Sequence, residues 1–299
     1  MLYMMVIGNV LLFMLLAPLS EGIIRRVTAR IQSRCGPPLL QPYFDLFKLL
    51  GKQNIDSSGL WPFRLAPILA LASMLTVVAI VPVAGKATAL TAHADLISLV
   101  YLLTLSGVAV LLGAFSSRNP YALMGASREM ITMIMVEPIL ATLLLMGALK
   151  HRSLELATVL YGASPSLSWS LALMAVVSVL ALQAFVARQP FDIAEAEIEI
   201  LGGPFVEYSG PNLGLFRYAL MIKQMFYAYL LVAIFVPLVS TQLWVANLLV
   251  QLAAMAVVFV LVGVLGSTNP RFRIDQALRY YAVLLVMSFG AIGLSLNGY

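Results

Sequence analysis

Eight apolar runs of about twenty residues recur along this chain, and they constrain its fold more than any motif does. At 1.5 Å per residue, a helix of about that length crosses the roughly 30 Å hydrocarbon core of a bilayer. The runs are continuous and rich in Leu, Ala, Val and Met, without the alternation of barrel strands. They fall at residues 2–24, 62–83, 96–115, 130–149, 167–187, 213–239, 243–265 and 280–296. Pro62, Pro82, Pro190, Pro211, Pro237 and Pro270 punctuate their ends. Composition agrees: 62% of residues are hydrophobic and 10% charged, where a soluble domain carries about a quarter charged. Residues 1–19 have no basic n-region and no small-residue cleavage site, so they read as the first span and not as a cleaved leader. The expected fold is all-α: a polytopic membrane protein with eight transmembrane helices, forming a single membrane domain over residues 1–299.

Charge then orients the spans. With this count, 15 of the 18 Lys and Arg fall on one side, and only Lys86, Lys150 and Arg152 on the other. The basic side is the expected cytoplasmic face, and both termini lie opposite. It carries three large polar loops, residues 25–61, 188–212 and 267–279, while the other connections are mostly short. A face of that kind is built to meet a partner. The net charge of +5 does not point to nucleic acid, because the basic residues sit in short loops between spans. Cys35 is alone, and His93 and His151 stand in no metal-ligand spacing. No redox cofactor is therefore expected in this chain.

The stretch ARQPFDIAEAEIEILGGPFVEYSG, residues 187–210, gathers Asp192, Glu195, Glu197, Glu199 and Glu207, five of the thirteen acids. Charge at a bilayer is costly to desolvate and tends to mark ion routes or docking surfaces. One reading is a solvated loop that balances nearby arginines; the other is a proton-entry funnel of carboxylates that raise one another's pKa. Glu195 and Glu199, at i and i+4, are expected on one helix face. Arg188 is expected to pair with Asp192 and fix the loop. Glu129 and Glu137 flank the start of the fourth span, and eight residues leave about 80° after two full turns, so both can line one polar track. Arg128 could neutralise Glu129. Glu137 lies inside an apolar helix with no adjacent base, which makes it the leading proton-path residue. Pro138 follows and frees backbone carbonyls beside it. Lys223 is read as a counter-charge for Glu137 or the loop carboxylates, against the alternative of snorkelling to the surface. Glu21 and Arg25, at i and i+4, suit a local ion pair. Arg271, Arg273 and Asp275 read as partner-docking or lipid-facing charges. The segment 43–50, with Phe44, Phe47, Lys48 and Leu50, reads as an amphipathic interfacial helix, or as the rim of a cavity at a partner interface.

Five segments, in order, carry a resemblance to a known family. They are RCGPPLLQPYFDLFKLLGKQ at 34–53, GASREMITMIMVEPIL at 125–140, the acidic stretch at 187–210, RYALMIKQM at 217–225 and NPRFRIDQALRY at 269–280. Together they resemble the membrane subunit shared by respiratory complex I and the group 4 energy-converting NiFe hydrogenases. The resemblance is closer to the hydrogenase branch, including formate hydrogenlyase. Gly36, Pro37 and Pro38 run straight into residues 39–42, where the complex I form carries a longer insertion. It implies a subunit that couples H₂ evolution to H⁺ or Na⁺ movement in a bacterial or archaeal plasma membrane. It implies hydrogenase large and small subunits and iron–sulfur subunits on the cytoplasmic face, which carry the NiFe centre and the clusters, and antiporter-like neighbours in the bilayer. The proton path it implies runs over Glu129, Glu137, Glu195, Glu197, Glu199, Glu207 and Lys223. Two rival readings are the quinone-chamber subunit of a complex I type enzyme and a free-standing secondary transporter.

Overall fold

The computed structural model describes residues 2–91, 94–161, 168–235 and 244–297, without the side chains of Leu2, Tyr161, Glu197 and Ile198. His93 lies outside the described residues, as do positions 236–243, where the sequence places the end of the sixth span and the start of the seventh. The helices, in order, are α1 (Leu2–Ile31), α2 (Gln41–Leu50), α3 (Trp61–Ile80), α4 (Leu96–Ser116), α5 (Pro120–His151), α6 (Leu156–Tyr161), α7 (Trp169–Phe185), α8 (Glu197–Ile200), α9 (Gly210–Phe235), α10 (Trp244–Thr268) and α11 (Ile274–Leu296). Among the described residues, seven helices are long and apolar enough to cross a membrane. The expected fifth span is α7, which at 17 residues is shorter but equally apolar. That is about 25 Å, the lower limit for crossing. The protein is a polytopic all-α membrane protein.

The ends follow local chemistry. Asn119 caps α5 by accepting from the Tyr121 amide, and Pro120 occupies the first turn, where no amide donor is needed. Ser168 caps α7 in the same way through Leu171. Several helices exceed the expected spans, most clearly α1, which continues to Ile31, α5, which begins at Pro120, and α11, which begins at Ile274. Hydropathy marks only the lipid-matched part of a helix, while the backbone continues wherever its hydrogen bonds can. Glu129 therefore stands in the third turn of an unbroken α5, and not at its start.

Of the seven long spans, α9 is the most enclosed. It packs against α1, α3, α7 and α10, while α5 packs against α4, α7 and α11. The basic loops meet at one end of the bundle. There Ile55 N donates to Ser209 Oγ, and Phe272 N to the Pro190 carbonyl. At this end α2 lies on α1 and α9 with Pro42 and Leu46 inward, and it leaves Phe44 and Phe47 exposed. The acidic loop is fastened to α5 through glycines. A Cβ on Gly203, at φ +54°, would stand 1.9 Å from the Ala194 carbonyl oxygen, and one on Gly125 would meet the Gly203 Cα at 2.6 Å. Only glycine lets this turn lie on the helix. Tyr208 holds the far side of the loop, stacked on Phe63 at 4.1 Å and donating to the Phe63 carbonyl.

Candidate functional site

Three cavities follow one another from the basic end into the bundle. The first, about 160 Å³, is walled by Glu21, Arg25, Arg188, Asp192, Glu195, Arg217 and Gln224. The second, about 40 Å³, shares Asp192, Glu195 and Gln224 with it and adds Glu129 and Lys223. The third, about 50 Å³, shares Glu129 and Lys223 with the second and reaches Thr104, Glu137, Tyr227 and Tyr281. A water molecule needs about 10–15 Å³ of such space. The two deeper cavities therefore take a short file of waters and not an aromatic head group. Gln224 Nε2 is buried and has no acceptor among the described residues. Its amide borders the first two cavities, where water is the available partner.

Helix periodicity makes this alignment. On α9, Arg217 and Gln224 stand two turns apart, and Lys223 and Tyr227 one turn apart, so one helix serves all three cavities. On α5, Glu129 and Glu137 border the same third cavity. Phe191 closes the side toward α11, with its ring 5.1 Å from those of Tyr280 and Tyr281.

The charged residues at the mouth are partnered differently from the sequence expectation. Arg188 does not pair with Asp192. Its Nη2 donates to Glu21, and its Nε to Gln224 Oε1 at 3.2 Å. Glu21 is only 1% exposed and holds two guanidinium groups, with Arg25 Nε at 2.8 Å. A carboxylate this deep needs more than one counter-group. The local Glu21–Arg25 pair is thus part of a network that runs on through Arg25 Nη1 to Asp45 at 2.9 Å. Asp192 instead pairs with Arg271 at 2.8 Å. Glu195 and Glu199 do not share a helix face, because α8 begins only at Glu197 and Glu195 lies in the turn before it. Glu195 pairs with Arg217 at 3.0 Å, and Glu199 with Arg128 at 2.6 Å. Arg128 is thereby engaged by the loop, while Glu129, about 100° round the helix, borders the cavities beside Lys223.

Other expected site residues lie off this track. Glu207 accepts from Asn119 Nδ2 and ties the loop to the head of α5. Arg273 and Asp275 border a separate cavity with Arg128, Glu199 and Arg271. The Arg273 amide donates to Gln276 Oε1 at 3.2 Å, within the capping box of α11. The Glu197 side chain lies outside the described residues. Asp45, Gln224, Tyr227, Tyr281 and Thr104 are additions of the structure. Asp45 sits in a motif already singled out, but nothing local marked it as the partner of an arginine twenty residues away.

Asp192 is the loop carboxyl poised to change its charge. Burial, reinforced by the charge of Glu195, pushes its pKa up to about 6 against the pull of Arg271 and Arg188. It borders both the first and the second cavity, so a group that titrates near neutrality stands between the mouth and the interior.

Comparison with known proteins shows the family. The family model described as NADH dehydrogenase matches residues 3–296. Formate hydrogenlyase subunit 4 of Escherichia coli is 34% identical, over 87% of this chain and 87% of that one. Hydrogenase-4 component C of the same organism is 35% identical, over 89% and 87%. One NADH-quinone oxidoreductase subunit from Syntrophotalea carbinolica is 30% identical, over 94% and 90%. Among solved structures, a chain of the archaeal membrane-bound sulfane sulfur reductase superposes with a TM-score of 0.85 at 29% identity, covering 98% of this chain and 99% of that one. The family match over nearly the whole chain and these identities show that the chain belongs to the NADH dehydrogenase family, among the multi-pass membrane subunits of respiratory oxidoreductase complexes.

Proposed function

We propose that this chain is the membrane-anchoring, ion-coupling subunit of an energy-converting NiFe hydrogenase complex. Its basic end faces the cytoplasm and docks the hydrogenase large and small subunits and the iron–sulfur subunits. Those partners carry the NiFe centre and the clusters. The reading links H₂ evolution there to H⁺ or Na⁺ movement here, passed on to antiporter-like neighbours. The observation that carries it is the unbroken order of side chains through three adjoining cavities, from Asp192 and Glu195 to Glu129 and Lys223, and then to Glu137.

The chemistry follows from the order. Asp192 takes or releases a proton at the mouth, near neutral pH. Water in the second cavity bridges toward Glu129, and Lys223 stabilises whichever glutamate is ionised, since both border its cavities. A docked arm that shifts the loop changes the spacing between Asp192, Glu195 and their arginines, and so changes which carboxyl is charged. Two of the relatives are a formate hydrogenlyase subunit and a hydrogenase-4 component, which favours this branch. The quinone-chamber reading keeps support from the NADH-quinone oxidoreductase relative, but the deeper cavities are sized for water and not for a ring. Membership of the family argues against a free-standing transporter.

The test is Glu137→Gln in the intact complex reconstituted in vesicles. Expected is loss of ion uptake coupled to H₂ evolution, with dye-linked hydrogenase activity kept. Full coupling in the variant removes Glu137 from the route. Inhibition of wild-type turnover by quinone-site inhibitors would favour the complex I reading instead.

A further inference from the structure

A cavity of about 540 Å³ opens at the basic end between the last turns of α1 and α10. Arg25, Arg34, Arg188 and Arg271 ring it, and among the described residues Asp192 is the only acid in its wall. The four cations have three carboxylates among them: Glu21 for Arg25 and Arg188, Asp45 for Arg25, and Asp192 for Arg271. Arg34 meets the neutral amide oxygen of Gln32. One positive charge is left in excess, and Arg271 Nε is buried with no acceptor among the described residues. An anionic oxygen would satisfy both.

The depth of the cavity narrows the choice of anion. α1 has 30 residues, about 45 Å, against a hydrocarbon core of about 30 Å. Its last turns, which carry Arg25 and Thr28, therefore stand at headgroup level. Down the helix, Tyr3, Ile7, Leu11 and Leu15 form an exposed stripe at every fourth position. Three turns beyond Leu15 the exposed residue is Arg26, and then Arg30. One surface thus changes from acyl-chain character to cationic character beside the cavity. Ile24 and Val262 give the cavity an apolar side. Thr28 donates to the Gly263 carbonyl and draws α1 onto α10 there.

We propose that this cavity binds the phosphate of an anionic phospholipid headgroup. Arg34 and Arg271 face the phosphate, and Ile24 and Val262 meet the beginning of an acyl chain. The site stands independently of the hydrogenase reading.

Cys35 borders the cavity, is exposed, and is the only cysteine of the chain, so its labelling reports occupancy directly. The experiment measures maleimide labelling of Cys35, by peptide mass spectrometry, on the delipidated protein with the subunits that co-isolate with it. Phosphatidylglycerol, phosphatidylcholine or inorganic phosphate is added. Phosphatidylglycerol should protect Cys35 at low concentration, and the Arg34→Gln/Arg271→Gln variant should need about tenfold more lipid or stronger. Arg118→Gln, away from the cavity, should protect like the wild type. Equal protection by phosphatidylcholine, or by inorganic phosphate alone, overturns the proposal, since an anionic lipid would then not be required. So does the absence of any lipid protection, or cross-linking of Cys35 to an acidic segment of a co-isolated subunit, which would make that segment the occupant.

Discussion

Asp192 makes the stability of the protein depend on pH. Its pKa is raised from the ordinary 3.8 to about 6, a difference of about 3 kcal/mol between its two protonation states. The sign follows from linkage. A raised pKa means that the folded protein holds this proton more tightly than the unfolded chain does. The stabilisation is complete below about pH 4 and is lost as pH rises through about 6. Wild type should therefore lose about 3 kcal/mol over that window relative to Asp192→Asn, which has no such proton to lose. The direct assay is an infrared titration of the carboxyl band, wild type minus Asp192→Asn, with a midpoint near 6. Two neighbours set its direction. Glu195→Gln removes a repelling charge and should lower the midpoint, while Arg271→Gln removes an attracting one and should raise it. A midpoint near 3.8, or neighbour variants that leave it unmoved, would refute the account of burial and like-charge repulsion.

The remaining predictions concern the supports of the site. Arg188→Gln leaves the buried Glu21 with one counter-charge in place of two and should cost about 1.5–3 kcal/mol in unfolding experiments, the worth of a lost hydrogen bond to a charged group. Adding Glu21→Gln should restore most of that loss, because Arg25 keeps Asp45; a double variant no better than the single would contradict the network. Gly203→Ala places a methyl 1.9 Å from the Ala194 carbonyl at positive φ, so hydrogen exchange in residues 188–207 should accelerate strongly. Gly202→Ala, where φ is +96° but no atom lies within 4 Å, should show the milder effect of backbone strain alone.

The spans were legible because a membrane imposes a length and a polarity that sequence states outright. The helix ends were less so. α1 and α5 outrun their apolar segments by several residues, since a helix that leaves the lipid needs only its backbone bonds and a cap such as Asn119 to continue. The 17-residue α7 shows the opposite limit, a span whose helix is shorter than its apolar run. The acids at the basic end were visible as a cluster, and the spacing of Glu129 and Glu137 allowed one track. Their partners were not visible. Periodicity relates residues three or four apart, and it found Glu21 with Arg25. Arg188 meets Glu21 across 167 positions, Arg271 meets Asp192 across 79, and Arg128 meets Glu199 across 71.

Those long reaches give the loop its physical character. Between residues 188 and 199 it sends Arg188 to α1, Asp192 to the segment before α11, Glu195 to α9 and Glu199 to α5. Each contact joins the loop to a different part of the bundle, and three of them use the carboxylates that border the cavities or their rims. A solvated acidic surface would leave such groups free to move independently. Here displacement of one pair strains the others through a short, glycine-anchored backbone. Charge at the mouth is therefore mechanically tied to the position of the loop. A protein seated on the basic end can alter the ionisation of Asp192 without touching it, by changing its distance to Arg271 or Glu195. On the proposed function this is the coupling step itself. It requires no cofactor in the membrane subunit, only a carboxyl held close enough to neutrality that a small movement decides its charge.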